Sequence, residues 1–276
     1  MSPTALTFGL ALLASAQVAA APVTAKRDWT ESFNVGNVPA LVIDNIWGDI
    51  NVRAGADDRI TMAIRSVRQA DDQTNFDRSL ELLPLDVGQE GDQVFLRVGD
   101  IEKKWQDWPR CDGCQLRLDI DVAVPPSSTV RIKTITDGTV VVTDVAGLVS
   151  AQNINGPVRA RGLAGCERIE AMNGDIDLVF SKSPDCDCAI ETLNGDIALN
   201  LSAGTETNLA VALFHGKLFT DLDLAPYAIP PVVEYARQDG RHEYTVEKLA
   251  GLRLGRGGHT LTLKSLNGDV RVARSR

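Results

Sequence analysis

Five cysteines are the first residues of this sequence to question for chemistry: Cys111 and Cys114 form a CxxC, Cys186 and Cys188 a CxC, and Cys166 stands alone. A CxxC can be a redox pair or half of a zinc site, with the CxC as the other half. The Cx2C with CxC spacing is irregular for zinc, and an exported chain would be oxidised, so a Cys111–Cys114 disulfide is the favoured reading. Cys166 precedes its nearest Asn-Gly by 7 residues, while Cys186 and Cys188 precede theirs by 8 and 6. If those Asn-Gly pairs are equivalent points of a repeat, Cys166 bridges to Cys186 or Cys188 and one thiol is left over.

Aspartates are the second candidate. Asp175, Asp196 and Asp269 follow three near-identical Asn-Gly pairs, and a stack of such carboxylates could hold Ca2+ through oxygen ligands. Capping the turns is the competing role and the one expected, because the nine-residue glycine-rich period of calcium-binding β-rolls is absent. A polysaccharide-cleaving site would need paired carboxylates beside an Arg or Lys, and no such constellation singles itself out. His215, His242 and His259 lack the spacing of a metal site or a nucleophile triad. No catalytic residue, no metal and no cofactor is therefore expected. Trp105 and Trp108 lie in a polar stretch before the CxxC, where indoles either contact a partner or cover an open end of the fold.

These residues sit in a repeat. Ala171-Met172-Asn173-Gly174-Asp175-Ile176-Asp177-Leu178 is nearly copied as Thr192-Leu193-Asn194-Gly195-Asp196-Ile197-Ala198-Leu199 and as Ser265-Leu266-Asn267-Gly268-Asp269-Val270-Arg271-Val272. Looser copies centre on Gly48-Asp49, Asp137-Gly138, Asn155-Gly156 and His215-Gly216. Gly138, Gly156, Gly174, Gly195 and Gly216 are spaced by 18, 18, 21 and 21 residues, a period that marks stacked supersecondary units. Apolar and polar residues alternate on both sides of each turn, which is the pattern of a strand with one buried face. Asn-Gly suits a bend at positive φ, with the Asp behind it free to accept from backbone amides.

Asn-Gly between alternating runs also signals an antiparallel hairpin. A hairpin ladder would need a second tight turn in every half-period, and the segments Ser181 to Asp187 and Ser202 to Thr207 are too varied for that. The expected fold is all-β: a parallel β-solenoid, like a single-stranded β-helix, with rungs of about 18–21 residues. A less regular β-rich N-terminal half is expected to cap it. Residues 1–21 read as a signal peptide, with an apolar run at Ala5 to Ala14 and a small-residue run at Ala16 to Ala21. Residues 22–124 form the N-terminal half and 125–276 the repeats, with a soft, continuous boundary at Val124-Pro125-Pro126. Strand-like runs appear at Ala40 to Ile43, Arg59 to Ile64, Gln93 to Val98 and Gln115 to Val124, and Asp71 to Leu83 is either a short helix or a loop.

With Asp121-Val122-Ala123-Val124-Pro125 leading into successive glycine-bearing rungs, the chain resembles the putative adhesin family, β-strand-repeat proteins of unknown function (DUF4097), over roughly Ala40 to Arg276. The resemblance implies an exported bacterial protein with a β-solenoid-like fold and an adhesive role by name. It supplies no established activity and no site residues.

Charge and composition narrow the partners. A net charge of −9 and a pI near 4.9 repel phosphate backbones and exclude nucleic acid as the main partner. No segment after the first twenty residues reaches the ~20 apolar residues of a membrane helix, so no membrane insertion is expected once a signal is cleaved. The functional expectation is a non-enzymatic interaction module of the periplasm or the extracellular face, bound to a protein or glycan of the envelope. An envelope polysaccharide enzyme or a structural accessory protein is the alternative, and the oligomeric state is left open.

Overall fold

A computed structural model describes residues 21–56, 58–99, 111–230, 232–238, 241–247 and 249–275. Residues 1–20 of the expected signal peptide, and Trp105 and Trp108, lie outside the described residues. The fold is all-β with one helix, organised as two large mixed sheets.

The strand pattern follows directly from alternation. In the first half these strands are β1 (Val23–Asn34), β2 (Ala40–Asp44), β3 (Ile50–Ala54) and β4 (Arg59–Ala70), then helix α1 (Gln73–Leu82), then β5 (Leu85–Glu90), β6 (Gln93–Val98) and β7 (Gln115–Val124). The regular copies supply β8 (Thr129–Thr134), β9 (Val140–Thr143), β10 (Leu148–Asn155), β11 (Val158–Leu163), β12 (Gly165–Asn173), β13 (Ile176–Phe180), β14 (Cys188–Asn194), β15 (Ile197–Leu201), β16 (Thr207–His215) and β17 (Leu218–Thr220). After them come β18 (Leu224–Pro226), β19 (Val232–Gln238), β20 (Arg241–Glu247), β21 (Ala250–Leu254), β22 (Thr260–Asn267) and β23 (Val270–Arg274). In β13 and β15 the buried residues are Ile176, Leu178 and Phe180, and Ile197, Leu199 and Leu201, every second position.

The first sheet runs β1-β4-β7-β3-β9-β11-β13-β15-β23-β17, and the second runs β18-β21-β16-β22-β14-β12-β10-β8-β2-β6-β5. From β8 to β17 the chain alternates between them, and from β8 to β15 each strand pairs in parallel with its equivalent one repeat away. The repeat copies are therefore side by side and parallel, not folded on one another as hairpins. The Asn-Gly turns carry the chain from the second sheet into the first.

Parallel register turns the repeat into columns of like side chains. Ile50, Val140, Val158, Ile176, Ile197 and Val270 are successive partners in the first sheet, and all are fully buried. Ile132, Ala151, Ile169, Ile190 and Leu263 do the same in the second sheet. Both columns belong to one hydrophobic cluster lying between the sheets, and each fully buried aliphatic side chain contributes about 2 kcal/mol.

The order of stacking departs from the order of the chain at both ends. β22 and β23 do not follow β16 and β17. They pair with β14 and β15 on one side and with β16 and β17 on the other. Likewise β2 and β3 lie between β6 and β7 and the pair β8 and β9, so parallel pairing crosses the Val124-Pro125 segment. Antiparallel strands finish three of the four sheet ends, with β4 and β1 beyond β7, β5 beyond β6, and β21 and β18 beyond β16, while β17 ends the first sheet parallel to β23. The Pro226 region and the β19–β20 hairpin form an excursion before the final copy.

Helix α1 resolves the Asp71 to Leu83 segment. Asp72 caps it by accepting from the Asn75 amide at 2.7 Å. At the other end the half-buried Arg68 guanidinium donates to the carbonyls of Ser79 and Leu83 at 2.5 and 2.7 Å, satisfying groups a helix terminus leaves open. Burial pulls the Arg68 pKa down from its ordinary value.

Candidate functional site

Where β2, β8, β10, β12, β14, β16 and β22 of the second sheet turn through Gly into the first, the turns stack into one corner. Asn155, Asn173, Asn194 and Asn267 are in register, with His215 after Asn267. Their side chains form a continuous hydrogen-bonded column. Asn173 donates to Asn155 at 2.9 Å, Asn194 to Asn173 at 2.8 Å and Asn267 to Asn194 at 2.8 Å. His215 Nδ1 stands 3.1 Å from the Asn267 amide oxygen.

The aspartates behind the glycines cap backbone. Asp175 accepts from the Asp196 amide, Asp196 from the Asp269 amide and Asp269 from the Lys217 amide, each at 2.8 Å. Asp49 does this for Thr139 at 2.8 Å, while Pro157 occupies the equivalent place after Gly156 and has no carboxylate to offer. Asp137 itself takes the left-handed conformation, at φ 36°. Asp119 accepts from the Asp49 amide at 3.1 Å and pairs with Arg117, whose pKa this hydrogen bond raises. Sequence reading missed Asp119, because it lies within β7 and not behind a glycine turn.

At Gly48, Gly138, Gly156 and Gly268 the positive φ expected of the turn is present, at 118°, 143°, 153° and 159°, but a second requirement is common to every corner. Gly174, Gly195 and Gly216 do not lie at positive φ. A Cβ on Gly195 would fall 2.2 Å from the Gly174 carbonyl oxygen, and the same overlap recurs from Gly48 through Gly138, Gly156, Gly174 and Gly268 to Gly216. Backbone meets backbone at this corner, so no side chain fits. Just inside, Thr192 and Ser265 donate to the carbonyls of Gly174 and Gly195 at 3.0 and 3.2 Å.

One residue before each Asn, and before His215, the side chain is large, apolar and outward. In stacking order these are Ile154, Met172, Leu193, Leu266 and Phe214, with Phe214 73% exposed and Leu193 41%. Sequence reading passed over this column, although it stands in every repeat copy beside the Asn. Beside it, on the outer face of the second sheet, Met172, Leu193, Leu266 and Phe214 line an open groove of about 870 Å3 with Ala212 and Ala250. Along its rim Glu191 pairs with Arg168 at 3.3 Å and with Lys264 at 3.5 Å. The groove thus offers apolar area flanked by charges already neutralised by one another.

Cysteine geometry separates the alternatives left by spacing. Cys111 is bonded to Cys114, and both sulfurs lie against the Asn75 carbonyl of α1. Cys166 is bonded to Cys188 across neighbouring β12 and β14, and Cys186 is free. The Cys186 thiol donates to the Cys166 carbonyl at 3.2 Å. Burial pushes this thiol up, and the nearby Asp185 and Asp187 add to the effect against that hydrogen bond. His259 stands 3.2 Å from Asp187, and His242 belongs to β20. Among the described residues no group of three or more His, Cys, Asp or Glu is arranged to hold a metal, and no helix is long and apolar enough to cross a membrane.

No family model matches the chain, and no curated protein matches it. Among solved structures it is similar to a putative cell adhesion protein from Clostridium sporogenes, at TM-score 0.46 and 7% identity over 91% of this chain and 100% of that one. It is also similar to a putative adhesin from Bacteroides fragilis, at TM-score 0.37 and 12% identity over 90% of this chain and 97% of that one. A putative lipid binding protein from Parabacteroides distasonis follows, at TM-score 0.31 and 11% identity over 90% and 97% of the two chains.

Proposed function

We propose that this protein is an exported, non-catalytic interaction module whose body is a parallel β-solenoid, and that it acts in adhesin-like fashion on a protein or glycan of the cell envelope. The observation that carries the reading is the exposed column Met172, Leu193, Leu266 and Phe214 beside its open groove. A contiguous apolar surface on an otherwise polar exterior marks a place where something binds. The rigid corner holds these side chains at the ~4.8 Å spacing of neighbouring strands, which suits an extended partner better than a small molecule. Export is supported by the Cys111–Cys114 and Cys166–Cys188 disulfides, which persist in oxidising compartments.

The test is retention of the purified protein on isolated envelope fractions, wild type against Leu193→Asp and Phe214→Asp. Both substitutions fall on exposed positions and are expected to leave the circular dichroism spectrum unchanged, so a several-fold loss of retention with the spectrum intact supports the reading. Unchanged retention removes the groove from it. Release of products on incubation with cell-wall or plant polysaccharides would overturn the non-catalytic assignment.

A further inference from the structure

Strand β1 is the outermost strand of the first sheet. It pairs with β4 over its whole length, from Val23↔Ala70 to Asn34↔Arg59, with no register shift. The other side of β1 has no strand partner among the described residues. An unbroken 12-residue edge without proline or bulge is a template for a further strand unless side chains forbid it.

The side chains on β1 are selective. Trp29 and Phe33 pack against the core from its inner face. Alternation puts Arg27 and Glu31 on that same face, with the Arg27 guanidinium 4.7 Å from the Trp29 ring centre. Inward charges on an edge strand repel most incoming strands, because pairing would bury them without a partner. One strand satisfies them, namely β1 itself run antiparallel. With Trp29 opposite Trp29 of a second copy, Arg27 faces Glu31, and symmetry makes this pair twice. Ala25 then faces Phe33, and on the outer face Lys26 faces Ser32, Asp28 faces Thr30 and Thr24 faces Asn34. No like charges stand opposite one another.

Neighbouring registers fail this comparison. Centring the pair on Asp28 sets Asp28 against Asp28, and centring it on Thr30 sets Arg27 against Phe33 and Glu31 against Trp29, leaving each inward charge without its opposite. Centring it on Arg27 sets Arg27 against Arg27, and centring it on Glu31 sets Glu31 against Glu31. Both also shorten the overlap, and like charges directly opposite destabilise a strand pair.

We propose that the protein forms a two-fold dimer through antiparallel pairing of β1 with β1 of a second copy, in the register centred on Trp29. This is the isologous contact of a closed dimer, made by strand addition at a sheet edge. It joins the first sheets of the two copies into one and leaves the apolar corner groove of each copy, at the opposite end of the stack, available.

Sedimentation velocity over a concentration series tests the proposal. The wild-type chain is expected at twice the monomer mass, and Glu31→Arg or Arg27→Glu alone is expected to raise the dimer dissociation constant about tenfold or more. The combination Arg27→Glu with Glu31→Arg restores the pair with its charges exchanged and is expected to restore the dimer, which a merely destabilised variant would not do. Asp28→Cys with Thr30→Cys is expected to trap the dimer on oxidation through a bond joining positions 28 and 30. Wild-type monomer at every concentration, a dimer indifferent to Glu31→Arg, or a double variant that stays monomeric would each overturn it.

Discussion

Cys186 is the one described cysteine without a disulfide, and its surroundings set its reactivity. Burial disfavours the thiolate, as do the carboxylates of Asp185 and Asp187, and only the thiolate is nucleophilic. A raised pKa leaves less thiolate at any pH below it. Iodoacetamide at pH 7.5, without reductant, is therefore expected to label Cys186 several-fold more slowly in the folded chain than in denaturant. Equal rates would show the thiol to be as accessible and as acidic as in an unfolded peptide. Gly195 is the second residue whose environment decides an outcome. With the Gly174 carbonyl oxygen 2.2 Å from where its Cβ would be, Gly195→Ala forces neighbouring backbones apart and is expected to cost roughly 3 kcal/mol, read as a lower urea midpoint with an unchanged slope.

At the level of elements, the Cys166–Cys188 bond ties β12 to β14 across 22 residues of chain. Cross-linking a loop of that length restricts the unfolded chain and is worth about 3 kcal/mol. Replacing both cysteines by Ala is expected to lower stability by that amount while keeping the β-sheet spectrum, because the pairing of β12 with β14 already has its own hydrogen bonds and a shared Ile169–Ile190 contact. A loss of all cooperative unfolding would instead make the bond a condition for folding. Spacing alone had left Cys166 a choice of two partners. Cys188 was decided by direction: it is buried at the start of β14, whereas Cys186 is two residues earlier, before the strand begins.

For the whole molecule, the order in which strands stack governs cooperativity. β16 and β17 reach the rest of the two sheets through β22 and β23, which come from the end of the chain after a long excursion. Truncation after Gly258 is expected to release β16 to β21 together, seen as loss of amide-exchange protection over 207–254 while β8 to β15 stay protected. Retained protection in β16 would mean that it has re-paired with β14, in register with a neighbour one repeat earlier. The same arrangement makes the last turns slow to form, because Asn194 must wait for Asn267 across 73 residues.

Much of this was written locally. Period-two alternation around Asn-Gly fixes short half-buried strands, and near-identical copies are able to stack because like side chains meet in parallel register, as the Asn173, Asn194 and Asn267 column does. The cysteine spacings placed one bridge and limited the other to two choices, and the aspartates behind the glycines were legible as caps. Stacking order was not legible. A copy carries no label of which neighbour it will join, since every rung presents the same apolar columns, and only the length and path of the β18 to β21 excursion put Asn267 between Asn194 and His215. Positive φ accounts for glycine at Gly156 and Gly268, whereas the close approach of Gly195 to the Gly174 carbonyl exists only between neighbouring strands and is not written in the local sequence. Alternation is a property of neighbours along the backbone, whereas stacking order and backbone contact are properties of neighbours in space, and these only the tertiary structure decided.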